Sequence, residues 1–237
     1  MASIASVCLD VFLLGVDYAA DGLAGDGYGF ERVVARHLAR RGVPVRGSAS
    51  TRVIGPQSLS GLRHQIDAQG DVGEGFLIGE WKAYRETIPK NELLRFHAVT
   101  EDYWLQRPHA AGRPVFRFFG GTGKVTPAAR RFAARWGITI ISPDTWPALA
   151  LADPNLAWPE GGGPTPQDRR ALAWLARPIQ SVYELQPDGR LFLPSPIDDA
   201  TVDARLSLHD RWSEEAWRWW FDADPSRLDH LATPAAA

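Results

Sequence analysis

Residues 64–82 read HQIDAQGDVGEGFLIGEWK, and the rest of the chain is organised around them. Asp71, Gly73 and Gly75 form a cluster that readily reverses a chain, so the stretch is predicted to be two short strands joined by a tight turn. Asp67 falls on the first strand, and Glu80 and Lys82 on the second. Side chains two residues apart on a strand share a face, so Glu80 and Lys82 point together and Trp81 points away. Gln65 likewise shares a strand face with Asp67. A turn centred on Gly73 and Glu74 sets Asp67 opposite Glu80, which brings two carboxylates to roughly 5 Å. A slip of one residue would send Asp67 to the other face. Like charges that close are unfavourable unless a positive group joins them, and a divalent metal and Lys82 are the obvious ones. Taken alone, the trio reads more simply as a surface salt bridge on an ordinary sheet, Lys82 with Glu80 or Asp67.

The chain of 237 residues is long enough for one good-sized domain, or one domain with an appendage. Its 45% hydrophobic and 23% charged content is ordinary for a globular protein, and a net charge of −2 neither favours nor excludes a polyanionic partner. A single cysteine, Cys8, excludes an internal disulfide and a cysteine-based zinc site. No pair of the six scattered histidines has zinc spacing. The apolar run from Ile4 to Val16 lacks a preceding Lys or Arg and is interrupted by Asp10, so neither a cleaved signal nor a membrane span is expected, and a cytoplasmic protein is.

Outward from the hairpin, Phe30, Val33, Val34 and Leu38 fall at helical spacing and Gly42 supplies a stop, which predicts a helix over 29–42. Glu31 lies at the edge of its apolar stripe. Arg32, Arg36, Arg40 and Arg41 make its outer surface basic, either a solvated face or one turned to phosphate. Val43–Ile54 is predicted to hold a strand. A helix is expected over 89–105, with Leu93, Leu94, Phe96, Val99 and Trp104 on its buried side. PVFRFF (114–119) reads as a strand, GGTGKVT as a loop, and Thr126 as the cap of a helix with Pro127 at its first position and an end at Gly137. ITII (138–141) reads as a buried strand, and 144–149 as a short closing helix. The alternation implies an α/β fold with a mixed sheet. From Ala150 to Pro166 the composition turns to Pro and Gly, which marks a linker. Beyond it, a helix is expected over 167–176, a hairpin from 182–185 to 191–193, and a Trp-rich helix over 211–221. The division expected is an N-terminal extension (1–28), a core (29–149) and an accessory segment (150–237).

The hairpin has a clear chemical logic. Asp67 and Glu80 can bind Mg²⁺, with Mn²⁺ able to substitute. A metal there polarises a phosphodiester and activates water, while Lys82 orients that water and offsets the charge that builds up. Glu31 can add an outer carboxylate, and Gln65 can contact the metal's water. GGTGKVT is not a nucleotide-binding loop, because Val125 follows Gly123-Lys124 where Ser or Thr is required. Its amides, with Thr122 and Lys124, can still meet a phosphate. His64 fits a structural hydrogen bond better than a substrate contact.

These residues carry a resemblance. Asp67, Glu80-Trp81-Lys82, the Glu31 helix GFERVVARHLARRGVPV and the block FRFFGGTGKVTPAARRFAARWGITIISPDTW (116–146) resemble the PD-(D/E)XK nuclease superfamily, nearest to the catalytic domains of Mrr-like type IV restriction endonucleases. The resemblance spans Gly29 to Trp146; Ile66 stands where the motif has proline. It implies a restriction-endonuclease-like αβββαβ core, flanked by helices and followed by a C-terminal accessory segment. It also implies metal-dependent hydrolysis of phosphodiesters, of DNA ahead of RNA, in defence against foreign DNA, with Asp67, Glu80, Lys82 and Glu31 as the catalytic set. The Trp-rich C-terminal segment would then serve a homo-oligomer or a targeting partner. Two alternatives stay open: an inactive nuclease-like module that binds nucleic acid or acts as a scaffold, and a purely structural α/β protein. Asp67 and Glu80 on opposite faces of the sheet, beyond a shared metal's reach, would support the last.

Overall fold

A computed structural model describes residues 27–40, 60–104 apart from 63, 73, 74 and 86, then 114–142, 183–185, 192–194, 196–207 and 210, and isolated positions before 27. The expected strand over 43–54 and the helices over 144–149, 167–176 and 211–221 lie outside the described residues.

The protein is mixed α/β, with helices α1 (Gly27–Arg40), α2 (Lys90–Trp104) and α3 (Pro127–Arg135). Its main sheet has the order β1 (Ala68–Val72), β2 (Gly75–Lys82), β4 (Val115–Gly121), β6 (Ile138–Ile141). The hairpin β1–β2 is antiparallel; β2–β4 and β4–β6 are parallel, with α2 and α3 as the crossovers. The sheet is therefore mixed, as the alternation of elements implies. A two-residue parallel pair, β3 (Thr87–Ile88) with β5 (Lys124–Val125), stands beside it. A separate hairpin joins β7 (Tyr183–Leu185) to β8 (Phe192–Pro194). No helix among the described residues is long and apolar enough to cross a membrane.

The register matches the turn-centred expectation: Ala68 pairs with Gly79 and Val72 with Gly75. One face of the sheet carries Phe76 and Ile78 of β2, Phe119 of β4 and Ile140 of β6, which pack on Leu93 and Phe96 of α2 and Ala129 and Ala133 of α3. This burial of apolar surface is the main favourable term holding the layers. On α1, Phe30, Val34 and Leu38 are fully buried, as their spacing predicts. On α2 the prediction needs a correction at Leu94, and the Trp104 side chain lies outside the described residues. Leu94 is exposed, while Thr100 and Tyr103 complete the buried side with Leu93 and Phe96, because the stripe follows i, i+3, i+7, i+10 from Leu93. α3 starts at the expected cap: the Thr126 hydroxyl accepts from the Ala129 N–H at 3.2 Å, and Pro127 follows. Gly137 has a φ of 65°, the left-handed conformation that ends helices and favours glycine.

Residues 199–207 are helical, a feature the sequence reading did not include. Asp198 caps this turn through the Thr201 N–H at 2.8 Å. The segment docks on α3: the Ile197 N–H donates to the Arg135 carbonyl at 2.8 Å, and Val202 is buried.

Candidate functional site

Asp67 sits one residue before β1, in a bend, rather than on the strand itself. Its position follows from the ladder. Just past the β1–β2 ladder, whose end pair is Ala68 with Gly79, the Trp81 N–H donates to the Asp67 carboxylate at 2.9 Å. The carboxylate is thereby fixed and turned toward the end of β2. Lys82 Nζ lies 2.5 Å from Glu80 Oε1 and 3.6 Å from Asp67 Oδ2. Lys82 thus meets both acids, as expected, and they do not lie on opposite faces of the sheet. Asp67 is buried; Glu80 and Lys82 are half-buried.

Trp81 points the other way and is fully buried. It lies over Gly79 and Gly120: a Cβ at Gly120 would stand 2.5 Å from the indole. The pair of glycines therefore lets the indole seat flat, which holds the Glu80-Trp81-Lys82 backbone close to β4.

Glu31 joins the group from α1, within electrostatic reach of Asp67 and Lys82. Burial, and then the negative charge of Asp67, push the Glu31 carboxyl from 4.5 up to about 7. Glu80 rises to about 7 for the same two reasons in the same order, against the pull of Lys82. Burial alone would lower Lys82, but Glu80 and Asp67 outweigh it and raise the ammonium above its ordinary value. The cluster is therefore short of positive charge: one ammonium serves three acids, and two of them resist ionisation. That is a chemistry a divalent cation would complete. As the side chains stand, no group of three His, Cys, Asp or Glu among the described residues closes on an ion, and the ammonium of Lys82 bridges Asp67 and Glu80.

The remaining expected contacts separate. Gln65 is exposed while Asp67 is buried. Thr122 is a structural tie, not a free hydroxyl: it donates to the Tyr84 carbonyl at 2.8 Å, and its N–H donates to the Lys82 carbonyl at 3.2 Å. It fixes the stretch leaving β2 against the end of β4. Lys124 is exposed on β5. His64 hydrogen-bonds to Asp102 at 2.5 Å, with Ser60 donating to the same carboxylate, which is the structural role expected.

Two residues at the site's rim lay outside the sequence reading. Arg95, exposed on α2, reaches Glu80 electrostatically. Tyr84 shares a hydrogen bond with Glu92, and burial, then Glu92, raise its phenol. Tyr84 stands two residues past Lys82, so continued strand alternation could have suggested it; Arg95 carries no local signal. Compared with family models, with curated proteins and with solved structures, the chain finds no match.

Proposed function

We propose that the protein is a metal-dependent phosphodiester hydrolase acting on nucleic acid, DNA ahead of RNA, with a core of the restriction-endonuclease-like type. The observation that carries this reading is the meeting of Asp67, Glu80 and Lys82 at the end of β2, with Glu31 within electrostatic reach of Asp67 and Lys82. The order of α1, the β1–β2 hairpin, α2, β4, α3 and β6 supports the same reading.

Asp67 and Glu80 would hold Mg²⁺ or Mn²⁺, and Glu31 would add charge from outside. The bound ion would polarise the scissile phosphate and activate a water. The chain's own residues do the rest. The Trp81 N–H keeps the Asp67 carboxylate aimed. Lys82 orients the attacking water by donating to it, and its positive charge offsets the negative charge that develops on the phosphate oxygens. Arg95, exposed on α2 within electrostatic reach of Glu80, would be available to a neighbouring phosphate. A role in defence against foreign DNA in the cytoplasm, with a homo-oligomer or targeting partner on the Trp-rich C-terminal segment, belongs to the same proposal.

One observation favours a second reading, an inactive nuclease-like module that binds nucleic acid or acts as a scaffold. Lys82 already bridges the two carboxylates that a metal would need. The two readings part on cleavage of plasmid and single-stranded DNA with Mg²⁺ or Mn²⁺. The hydrolase reading expects cleavage that EDTA stops and that Lys82→Ala and Asp67→Asn each reduce by roughly a hundredfold or more. Undiminished cleavage by Lys82→Ala overturns the site. No cleavage by the wild type of any nucleic acid leaves the inactive module.

A further inference from the structure

Helix α1 exposes Arg32, Arg36 and Arg40. Four-residue spacing puts them on one face, with about 6 Å of rise between neighbours. The helix's single acid, Glu31, is half-buried and lies toward Asp67 and Lys82, so it does not neutralise the row. Among the described residues none of the three arginines makes an ion pair or a hydrogen bond. The arginines of α3 are the opposite case: Arg130, Arg131 and Arg135 pair with Asp210, Asp203 and Asp199. Three like charges at this spacing repel one another and work against the helix, so the row calls for an anion from outside.

We propose that Arg32, Arg36 and Arg40 form a track for the sugar–phosphate backbone of a nucleic acid, leading it to the end of β2; the direction of the track, though not the binding itself, rests on the hydrolase reading. The guanidinium fork matches phosphate oxygens, and the rise between neighbours is of the order of the spacing of phosphates along a strand. A membrane surface fits less well. An interfacial helix buries its apolar face in lipid, whereas Phe30, Val34 and Leu38 of α1 are already buried in the protein. The track begins at Arg32, next in sequence to Glu31, which lies within electrostatic reach of Asp67 and Lys82.

The test uses the full chain and fluorescence anisotropy in EDTA, so that binding is read without cleavage. The probe is a labelled DNA duplex of about 20 base pairs, titrated across a KCl series. Each phosphate contact contributes about 0.9 to the slope of log affinity against log salt, so the Arg32→Gln/Arg36→Gln/Arg40→Gln variant flattens it by about 2.7 and binds at least about tenfold more weakly at low salt. Arg131→Gln, with its charge already paired, changes the slope far less. Circular dichroism and the thermal midpoint confirm that the exposed substitutions leave the fold intact. An unchanged slope in the triple variant, or no binding by the wild type, overturns the track. So does loss of binding to phosphatidylserine vesicles with DNA binding retained. The two proposals fail separately: salt-dependent binding through α1 without cleavage by the wild type removes the hydrolase and keeps the track. Cleavage with an unchanged slope does the reverse.

Discussion

Helices α1 and α3 look alike as sequences, and the structure uses them differently. GYGFERVVARHLAR and PAARRFAAR are both short, with an apolar inner face and three arginines directed outward. On α3 the chain supplies its own counter-charges, since Asp199 and Asp203 come from the segment that docks on the helix, and Asp210 follows them. On α1 the chain supplies none among the described residues. The difference teaches that a basic helix face is not a property of the helix. Whether it clamps the protein or awaits a ligand is decided by residues more than sixty positions away, as the Arg135–Asp199 contact shows.

A third arginine setting gives the comparison its scale. Arg117 on β4 is fully buried, and it donates to Glu101 at 2.9 Å, to His97 Nδ1 at 2.9 Å and to the carbonyl of Trp136. It thus ties the end of α3 to α2 through the sheet. Burial, then the charge of Arg117, lower His97 to about 4, so the imidazole is a neutral acceptor at pH 7. Arg117→Met removes the buried guanidinium shared by Glu101, His97 and the Trp136 carbonyl, so a loss of about 3–5 kcal/mol is expected in urea denaturation. Adding Glu101→Leu should recover much of it, because a well-packed apolar pair replaces an ionic one at little cost. A loss below about 1 kcal/mol for Arg117→Met would mean that this arginine belongs with the surface pairs.

None of that burial was legible in PVFRFF, because the partners of Arg117 lie on another element. The hairpin was legible to its register, since glycines at the turn and alternation on both sides are local signals, and local geometry fixes which residues oppose. The same holds for the cap of α3, where Thr126 and Pro127 adjoin the turns they start. What escaped was non-local. Thr122 read as a loop hydroxyl, and only the approach of Tyr84 makes it a structural tie. The helix at 199–207 is polar and Asp-rich, and its single well-buried residue, Val202, is not enough to set a period; its order comes from α3. Asp67, Glu80 and Lys82 could be found because a hairpin is the one tertiary contact a sequence nearly states. Arg95 could not.

Glu31 distinguishes α1 from α3 in a second way, through pH, with an effect expected to be smaller than that of Arg117. Its carboxyl, like that of Glu80, is raised from 4.5 to about 7 in the folded protein. The folded state then holds a proton that the unfolded state releases at lower pH. Between those values the folded state binds more protons, and stability falls as pH rises. The thermal midpoint of the metal-free protein should therefore decline from pH 5 to pH 8, and Glu31→Gln and Glu80→Gln should each flatten the decline. Mg²⁺ should raise the midpoint more at pH 8 than at pH 5, because a deprotonated carboxylate binds the ion and a protonated one does not. A Glu31→Gln profile parallel to the wild type would place Glu31 outside the cluster.

The smallest expected effect separates the helices by sign. Exposed ion pairs contribute about 0.2–1 kcal/mol each, so Arg131→Gln should destabilise the fold by an amount in that range at low salt. Like charges four residues apart on a helix cost a few tenths of a kcal/mol, roughly 0.2–0.5 per pair, so Arg36→Gln, which removes the middle charge of the row, should be neutral or slightly stabilising. Paired triple variants amplify the contrast: Arg32→Gln/Arg36→Gln/Arg40→Gln on α1 against Arg130→Gln/Arg131→Gln/Arg135→Gln on α3. The α3 variant should also loosen the docked segment, because Arg135 donates to the Ile197 carbonyl at 2.6 Å as well as to Asp199. In about 1 M KCl the electrostatic part of both effects should shrink toward zero, leaving the α3 variant weaker only by that carbonyl contact. If the α1 variant instead loses as much stability as the α3 variant, the row is already paired within the chain. It would then be a clamp like α3, and nucleic acid would have to find its charge elsewhere.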